Sequence, residues 1–182
     1  LPFYKAGLLS REAFFRTWGE TMAWLVRNLS VQEGQALFDH LTDKRILPNL
    51  RTDVMARLEW HRSQGHLVAL VSGTFDPWLS TVAARLGVYH AIGTPLMVRD
   101  GRYTGQIVPP LCQGQGKLCR VDAYLMDQDL TVDWAASYAY ADRETDLPLL
   151  KRVGHPVAVY PDALLWEYAQ AQGWPVLGEM SG

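Results

Sequence analysis

The sequence is poor in the features that announce several common protein classes. It has only two cysteines, Cys112 and Cys119, and no Cys-x-x-Cys pair. That excludes a disulfide framework and a thiolate zinc site, and points to reduced thiols in a cytoplasmic protein. The five histidines are scattered; His61 and His66 lie closest, at a spacing that fits no common zinc motif. The net charge is only −2, which gives no electrostatic attraction to nucleic acid or to an anionic membrane surface. No apolar run approaches the roughly 18 residues of a membrane span. The opening Leu1-Pro2-Phe3-Tyr4 lacks the basic-then-apolar order of a signal peptide, and it lacks an initiator Met, so chain upstream of Leu1 is expected.

What is present is apolar material in quantity. Hydrophobic residues make up 48% of 182, enough for the core of one domain or of a core domain with a small insertion. Residues 1–64 read as helical throughout. Ser10 opens a stripe through Phe14, Phe15, Trp18, Met22 and Leu25. Ser30 with Glu33 forms a capping box ahead of Ala36, Leu37 and Leu41. After Pro48 a third helix carries Val54, Leu58 and Trp60 and stops at Gly65.

From residue 65 the pattern changes to strands alternating with helices. Leu67–Val71 is a continuous apolar run, as in a parallel strand buried on both faces. A helix over 77–86 ends at Gly87, and Asp100-Gly101 between two short β-prone runs predicts a hairpin. A helix over 116–126 follows. Strands are predicted over 137–140, 156–159 and 175–177, with helices over 147–152 and 162–171. This order implies an α/β fold, a Rossmann-like parallel sheet with helices on both faces. Ligands of such sheets bind beyond the carboxyl ends of the strands.

Three polar clusters fall at such positions. In Val71-Ser72-Gly73-Thr74-Phe75-Asp76 a hydroxyl and a Gly follow a strand and precede a helix, which suits an oxyanion; taken alone, a plain turn with Asp76 near a cap is the stronger reading. In Gly114-Gln115-Gly116-Lys117 the Lys stands just inside a helix start, either reaching a ligand or solvated. In Tyr140-Ala141-Asp142-Arg143-Glu144-Thr145-Asp146 two carboxylates lie one helical turn apart. They are either Mg²⁺ ligands or, in the case of Asp142 or Thr145, helix caps. Asp127-Gln128-Asp129-Leu130-Thr131 matches Asp-x-Asp-x-Thr literally, but it follows a helix rather than a strand and reads as a solvated loop.

Taken together and in this order, the clusters resemble motifs two to four of the haloacid dehalogenase-like superfamily. The stretches GHLVALVSGTF, RDGRYTGQIVPPLCQGQGK, SYAYADRETDLPLLKRVGHPVAVYPD and AQGWPVL resemble its phosphoserine-phosphatase branch over residues 47–177. The resemblance implies a small helical cap at 1–64 and an α/β core at 65–182. It implies a Mg²⁺-dependent phosphomonoesterase acting on a small phosphorylated metabolite, with no nucleic-acid or membrane partner, through an aspartyl-phosphate. Carried over residue by residue, Ser72 and the Gly73 backbone bind phosphoryl oxygens. Lys117 neutralises the phosphate and the nucleophile, Asp142 holds Mg²⁺, and Asp146 orients a water or Lys117. The nucleophile motif, Asp-x-Asp-x-Thr after a first strand, is expected upstream of Leu1; in the family that strand lies mid-sheet, between those ending at Ser72 and Asp142. The alternative is a non-catalytic phosphate-binding or regulatory protein without the nucleophile. Arg143 departs from the branch's commoner small residue, Tyr160 from an Asn. Apolar Met22-Ala23 stands where phosphoserine phosphatases place a substrate-gripping Arg; Arg16 and Arg27 are read as surface arginines, with substitution for that Arg as the other reading. The substrate and the oligomeric state are not written in the sequence.

Overall fold

Ser30 sets the start of the first complete helix in the computed structural model, which describes residues 19–181. Its Oγ accepts from the Glu33 amide at 3.1 Å, and Glu33 Oε2 accepts from the Ser30 amide at 2.7 Å. Those bonds satisfy two of the donors that a helix start leaves orphaned. They also hold the Glu33 carboxyl below its usual range, the Ser30 backbone bond contributing most. The helix, α1 (Val31–Leu41), runs on through a π-helical stretch at Thr42–Ile46 and a 3₁₀ turn at Leu47–Asn49, where Pro48 ends it. Residues 19–24 are also helical. The stripe expected from Ser10 to Trp18 lies outside the described residues.

The helix expected after Pro48 is α2 (Thr52–Ser63), closed by Gln64 and by Gly65 at φ +72°. It carries His61, which is buried and whose Nδ1 lies 2.8 Å from Nδ1 of His66. One imidazole donates and the other accepts, so the pair has no room for two protons on the facing nitrogens. Burial holds the His61 pKa below the usual value, with the charges of His66 and Arg57 adding to it. The unfolded chain therefore takes up a proton near pH 6.5 that the folded chain resists, and the stability from neutral His61 is complete above that pH and is lost below it. Melting temperature measured against pH should fall on acidification below about 6.5, and less steeply in His61→Gln. Parallel curves for the two proteins would remove His61 from the effect.

The chain divides between Leu111 and Cys112 into two compact units. In the first, β1 (Ala69–Phe75) leads into α3 (Asp76–Arg85) and pairs in parallel with β2 (His90–Thr94). The β1 strand starts two residues later than its apolar run suggests and is half-buried rather than buried on both faces. Among the described residues it has a strand partner on one side only. β2 was not foreseen. Its His-Ala-Ile-Gly-Thr sequence has neither an apolar run nor a clear alternation. The hairpin is β3 (Leu96–Arg99) and β4 (Arg102–Ile107), joined by Asp100 and Gly101 at φ +50° and +72°. Positive φ at both central residues is the two-residue geometry that follows the natural strand twist.

Ala23, Val26, Phe38, Phe75, Leu96, Tyr103 and Ile107 form this unit's core. Phe38 stacks on Trp78 with centroids 6.1 Å apart and meets the Tyr103 ring edge-on at 6.4 Å. Gly34 lies so close to Tyr103 that a Cβ there would come within 2.4 Å of the ring, which explains a glycine in mid-helix despite its cost.

The second unit holds α4 (Gln115–Asp127), β5 (Tyr138–Ala141), a 3₁₀ turn at Glu144–Asp146, α5 (Leu147–Leu150), β6 (His155–Val159), α6 (Ala163–Gln172) and β7 (Val176–Leu177). The three strands are parallel, in the order β5-β6-β7. Leu150, Ala158, Leu165 and Ala169 are fully buried between helix and sheet. Parallel strands joined through helices are the α/β architecture expected from the sequence. Among the described residues no helix is long and apolar enough to cross a membrane.

Candidate active site

The first unit's contribution lies where its parallel ladder breaks. Val71 pairs with Ile92, and the next pair is Phe75 with Thr94. β1 therefore advances four residues while β2 advances two, and the surplus falls on Ser72, Gly73 and Thr74. Bulges of this kind re-aim side chains, and they recur beside active sites. Ser72 Oγ accepts from the Thr74 amide at 3.2 Å, and the Gly73 carbonyl accepts from Thr94 Oγ1 at 3.0 Å. The hydroxyl proton of Ser72 is not spent in the Thr74 bond, so it can be donated to an oxyanion. Asp76 does not cap α3, as the plain reading allowed. Its Oδ1 accepts from the Gly93 amide. Gly93 lies so tightly there that a Cβ would come within 2.8 Å of both Asp76 Oδ1 and the Thr74 carbonyl.

In the second unit Lys117 is the third residue of α4, behind Gly114 at φ +54°. It is not the solvated lysine its sequence context permits. Only 6% exposed, it sets Nζ 2.5 Å from Asp146 Oδ1, and Asp146 is itself 9% exposed. A buried ammonium and carboxylate coexist only because each compensates the other. Lys117 keeps further N–H donors for a ligand, since an ammonium carries three.

Asp142 leaves the carboxyl end of β5, is exposed, and has the Arg143 Nε 3.6 Å from Oδ2. Neither Asp142 nor Thr145 caps a helix; the 3₁₀ turn and α5 begin without any side-chain cap. That leaves the Asp142 carboxylate uncommitted to secondary structure. A magnesium ion asks for hard oxygen ligands, commonly one or two carboxylates completed by waters and substrate phosphate. Asp142 suits that sparse mode. Among the described residues no group of three His, Cys, Asp or Glu side chains forms an all-protein cage. The structure thus brings together Lys117 and Asp146, sets Asp142 four residues before Asp146 in the same loop, and places Ser72 and Gly73 in the other unit. The literal Asp127-x-Asp129-x-Thr131 match lies at the end of α4 and in the turn beyond it, with Asp129 at φ +51° and exposed.

Sequence reasoning missed Asp162. It caps α6 by accepting from the Leu165 amide at 2.9 Å, and it also accepts from the Glu144 amide at 3.3 Å. The Pro-Asp pair ahead of an apolar helix was the available signal for the cap; nothing in the sequence pointed to the second bond.

Comparison with known proteins identifies the family. Residues 1–151 match the family model of haloacid dehalogenase-like hydrolases. A histidinol-phosphatase of Neisseria meningitidis is 32% identical over 96% of this chain and 78% of its own length. A phosphoserine phosphatase of Mycobacterium tuberculosis is 31% identical over 83% of this chain, which spans about half of it, 48%. A crystal structure of a Bordetella pertussis protein of unknown function superposes with TM-score 0.86 at 35% identity, over 97% of this chain and 78% of that one. The chain belongs to the haloacid dehalogenase-like hydrolases.

Proposed function

We propose that the protein is a Mg²⁺-dependent phosphomonoesterase that acts on a small organic phosphate through an aspartyl-phosphate. The observation that carries this reading is the buried Lys117–Asp146 pair, with the exposed Asp142 carboxylate, which caps no helix, in the same loop as Asp146. Ser72 donates its hydroxyl proton to a phosphoryl oxygen, and the Gly73 backbone lets that oxygen approach closely. Lys117 holds its charge against the phosphate and the attacking carboxylate. Asp146 fixes the ammonium in place. Asp142 is the ligand for Mg²⁺, which when bound offsets charge building up on the transferred phosphoryl group.

The nucleophile is proposed to come from an Asp-x-Asp-x-Thr segment ahead of the helical cap at 1–64, with the α/β core at 65–182. Among the described residues, β1 and β5 each have a strand partner on one side only. As for the substrate, Ala23 is fully buried in a hydrophobic cluster and offers nothing to grip a carboxylate. That favours a phosphate ester without a carboxylate, such as histidinol phosphate, over phosphoserine.

The test is a phosphate-release assay of the full-length protein on histidinol phosphate, phosphoserine and p-nitrophenyl phosphate. Turnover should cease on treatment with EDTA and return with Mg²⁺, and histidinol phosphate should be preferred to phosphoserine. Turnover that persists unchanged in EDTA defeats the metal-dependent reading. No turnover of any ester in Mg²⁺ favours a phosphate-binding protein instead.

A further inference from the structure

The link between β6 and α6 is built more rigidly than a helix start needs. Tyr160 stands at φ +44°, an unusual conformation for an aromatic residue. Its amide donates to the Leu177 carbonyl at 2.8 Å. Pro161 is fully buried, and its carbonyl accepts from both the Ser181 amide, at 2.9 Å, and the Ser181 hydroxyl, at 3.2 Å. These contacts hold Asp162 on a fixed base.

From that base Asp162 bonds to the loop after β5 through both its amide and its carboxylate. Its amide donates to the Asp142 carbonyl at 2.8 Å. Its carboxylate has both oxygens 3.3 Å from the Glu144 amide nitrogen while Oδ1 also accepts from Leu165. The residues on either side of Arg143 are thus tied to one side chain and its backbone. A helix cap needs only the Leu165 bond; the Glu144 bonds do nothing for α6.

We infer that Asp162 is a positioning residue for the Asp142 loop: by clamping the backbone on both sides of Arg143, it fixes where the Asp142 carboxylate can meet a divalent cation. This rests on the reading of Asp142 as a Mg²⁺ ligand and names a residue on which that ligand depends. Asp162 touches neither metal nor substrate. It acts as an outer-shell partner through the backbone, a class of interaction whose loss weakens metal binding although no ligand is removed.

The test titrates the full-length protein with Mg²⁺ alone by calorimetry, in the wild type and four variants. Asp162→Ala removes the cap and the Glu144 bonds together, and should weaken Mg²⁺ binding about 10–100-fold. Asp162→Asn keeps an acceptor oxygen for both amides and should bind close to wild type. Leu165→Val trims a fully buried side chain of the same helix. It should lower the melting temperature as Asp162→Ala does, yet leave Mg²⁺ affinity at the wild-type value. Asp142→Asn should lose binding outright. If Asp162→Ala binds Mg²⁺ as wild type while Asp142→Asn does not, the clamp is refuted and the metal reading stands. If Leu165→Val loses as much affinity as Asp162→Ala, the effect is general destabilisation and the inference is overturned. If Asp142→Asn binds normally, the metal reading falls and the clamp falls with it.

Discussion

Lys117→Met is expected to cost the protein both its fold stability and its turnover. The side chain it removes pairs with Asp146 at 2.5 Å, almost out of contact with solvent. Breaking a buried pair by deleting one partner leaves a charge that can neither be hydrated nor paired, at a cost of about 3–5 kcal/mol. In a domain whose whole stability is on the order of 5–15 kcal/mol, denaturant unfolding reads that loss easily. Turnover should drop by about 10²–10³-fold as well, as when one preorganised donor is lost from a transition-state site. Removing the second charge separates the two effects. Lys117→Met combined with Asp146→Leu should regain most of the stability, because two apolar groups of similar volume replace the pair, and none of the turnover. A single Lys117→Met variant that unfolds at the wild-type denaturant concentration would contradict the buried pair.

Asp142→Asn is expected to behave in the opposite way, losing turnover with its fold intact. The side chain is about 62% exposed, and its neighbour Arg143 is equally open to water. Such a pair contributes little to stability, so unfolding should shift by no more than about 0.5 kcal/mol. The amide has nearly the shape of the carboxylate but not its charge. If Asp142 holds the cation, the several kcal/mol of charge stabilisation that metal catalysis supplies disappear, and turnover falls by about 10³-fold or more. Steady-state assays across a range of Mg²⁺ concentrations distinguish weakened binding from a defect in the bound state. A variant with wild-type activity in all of them would remove Asp142 from the metal site. The contrast between the two substitutions is diagnostic, because the Lys117 site is built into the core and the Asp142 site is built onto the end of a strand.

Local chemistry was the part of the fold most legible in the sequence. Ser30 and Glu33 bond reciprocally as their spacing predicts, and Asp100-Gly101 makes the tight turn. Both depend on neighbours within a few residues. β2 depends on parallel pairing with β1, some twenty residues away, and its own side chains hardly reveal it. The burial of β1 was overread for a related reason: an apolar run records suitability for burial, whereas the burial achieved depends on how many partners the strand finds. In the candidate site, the resemblance pointed to Lys117 and Asp146, but local sequence alone left Lys117 either ligand-reaching or solvated, because its burial requires a partner 29 residues away in the chain. Asp162 was legible as a cap and illegible as a clamp, since its second partner, Glu144, lies 18 residues earlier.

The edge of β1 that finds no strand partner among the described residues has a consequence for life in a crowded solution. An unpaired strand edge offers its N–H and C=O groups to any passing chain, and a run such as Ala69-Leu70-Val71, apolar and free of charge and proline, suits self-association. Any strand that lies along that edge protects the protein from its own copies. Catalysis and colloidal survival would then be selected through one segment, and damage to it would show first as aggregation and only afterwards as lost activity.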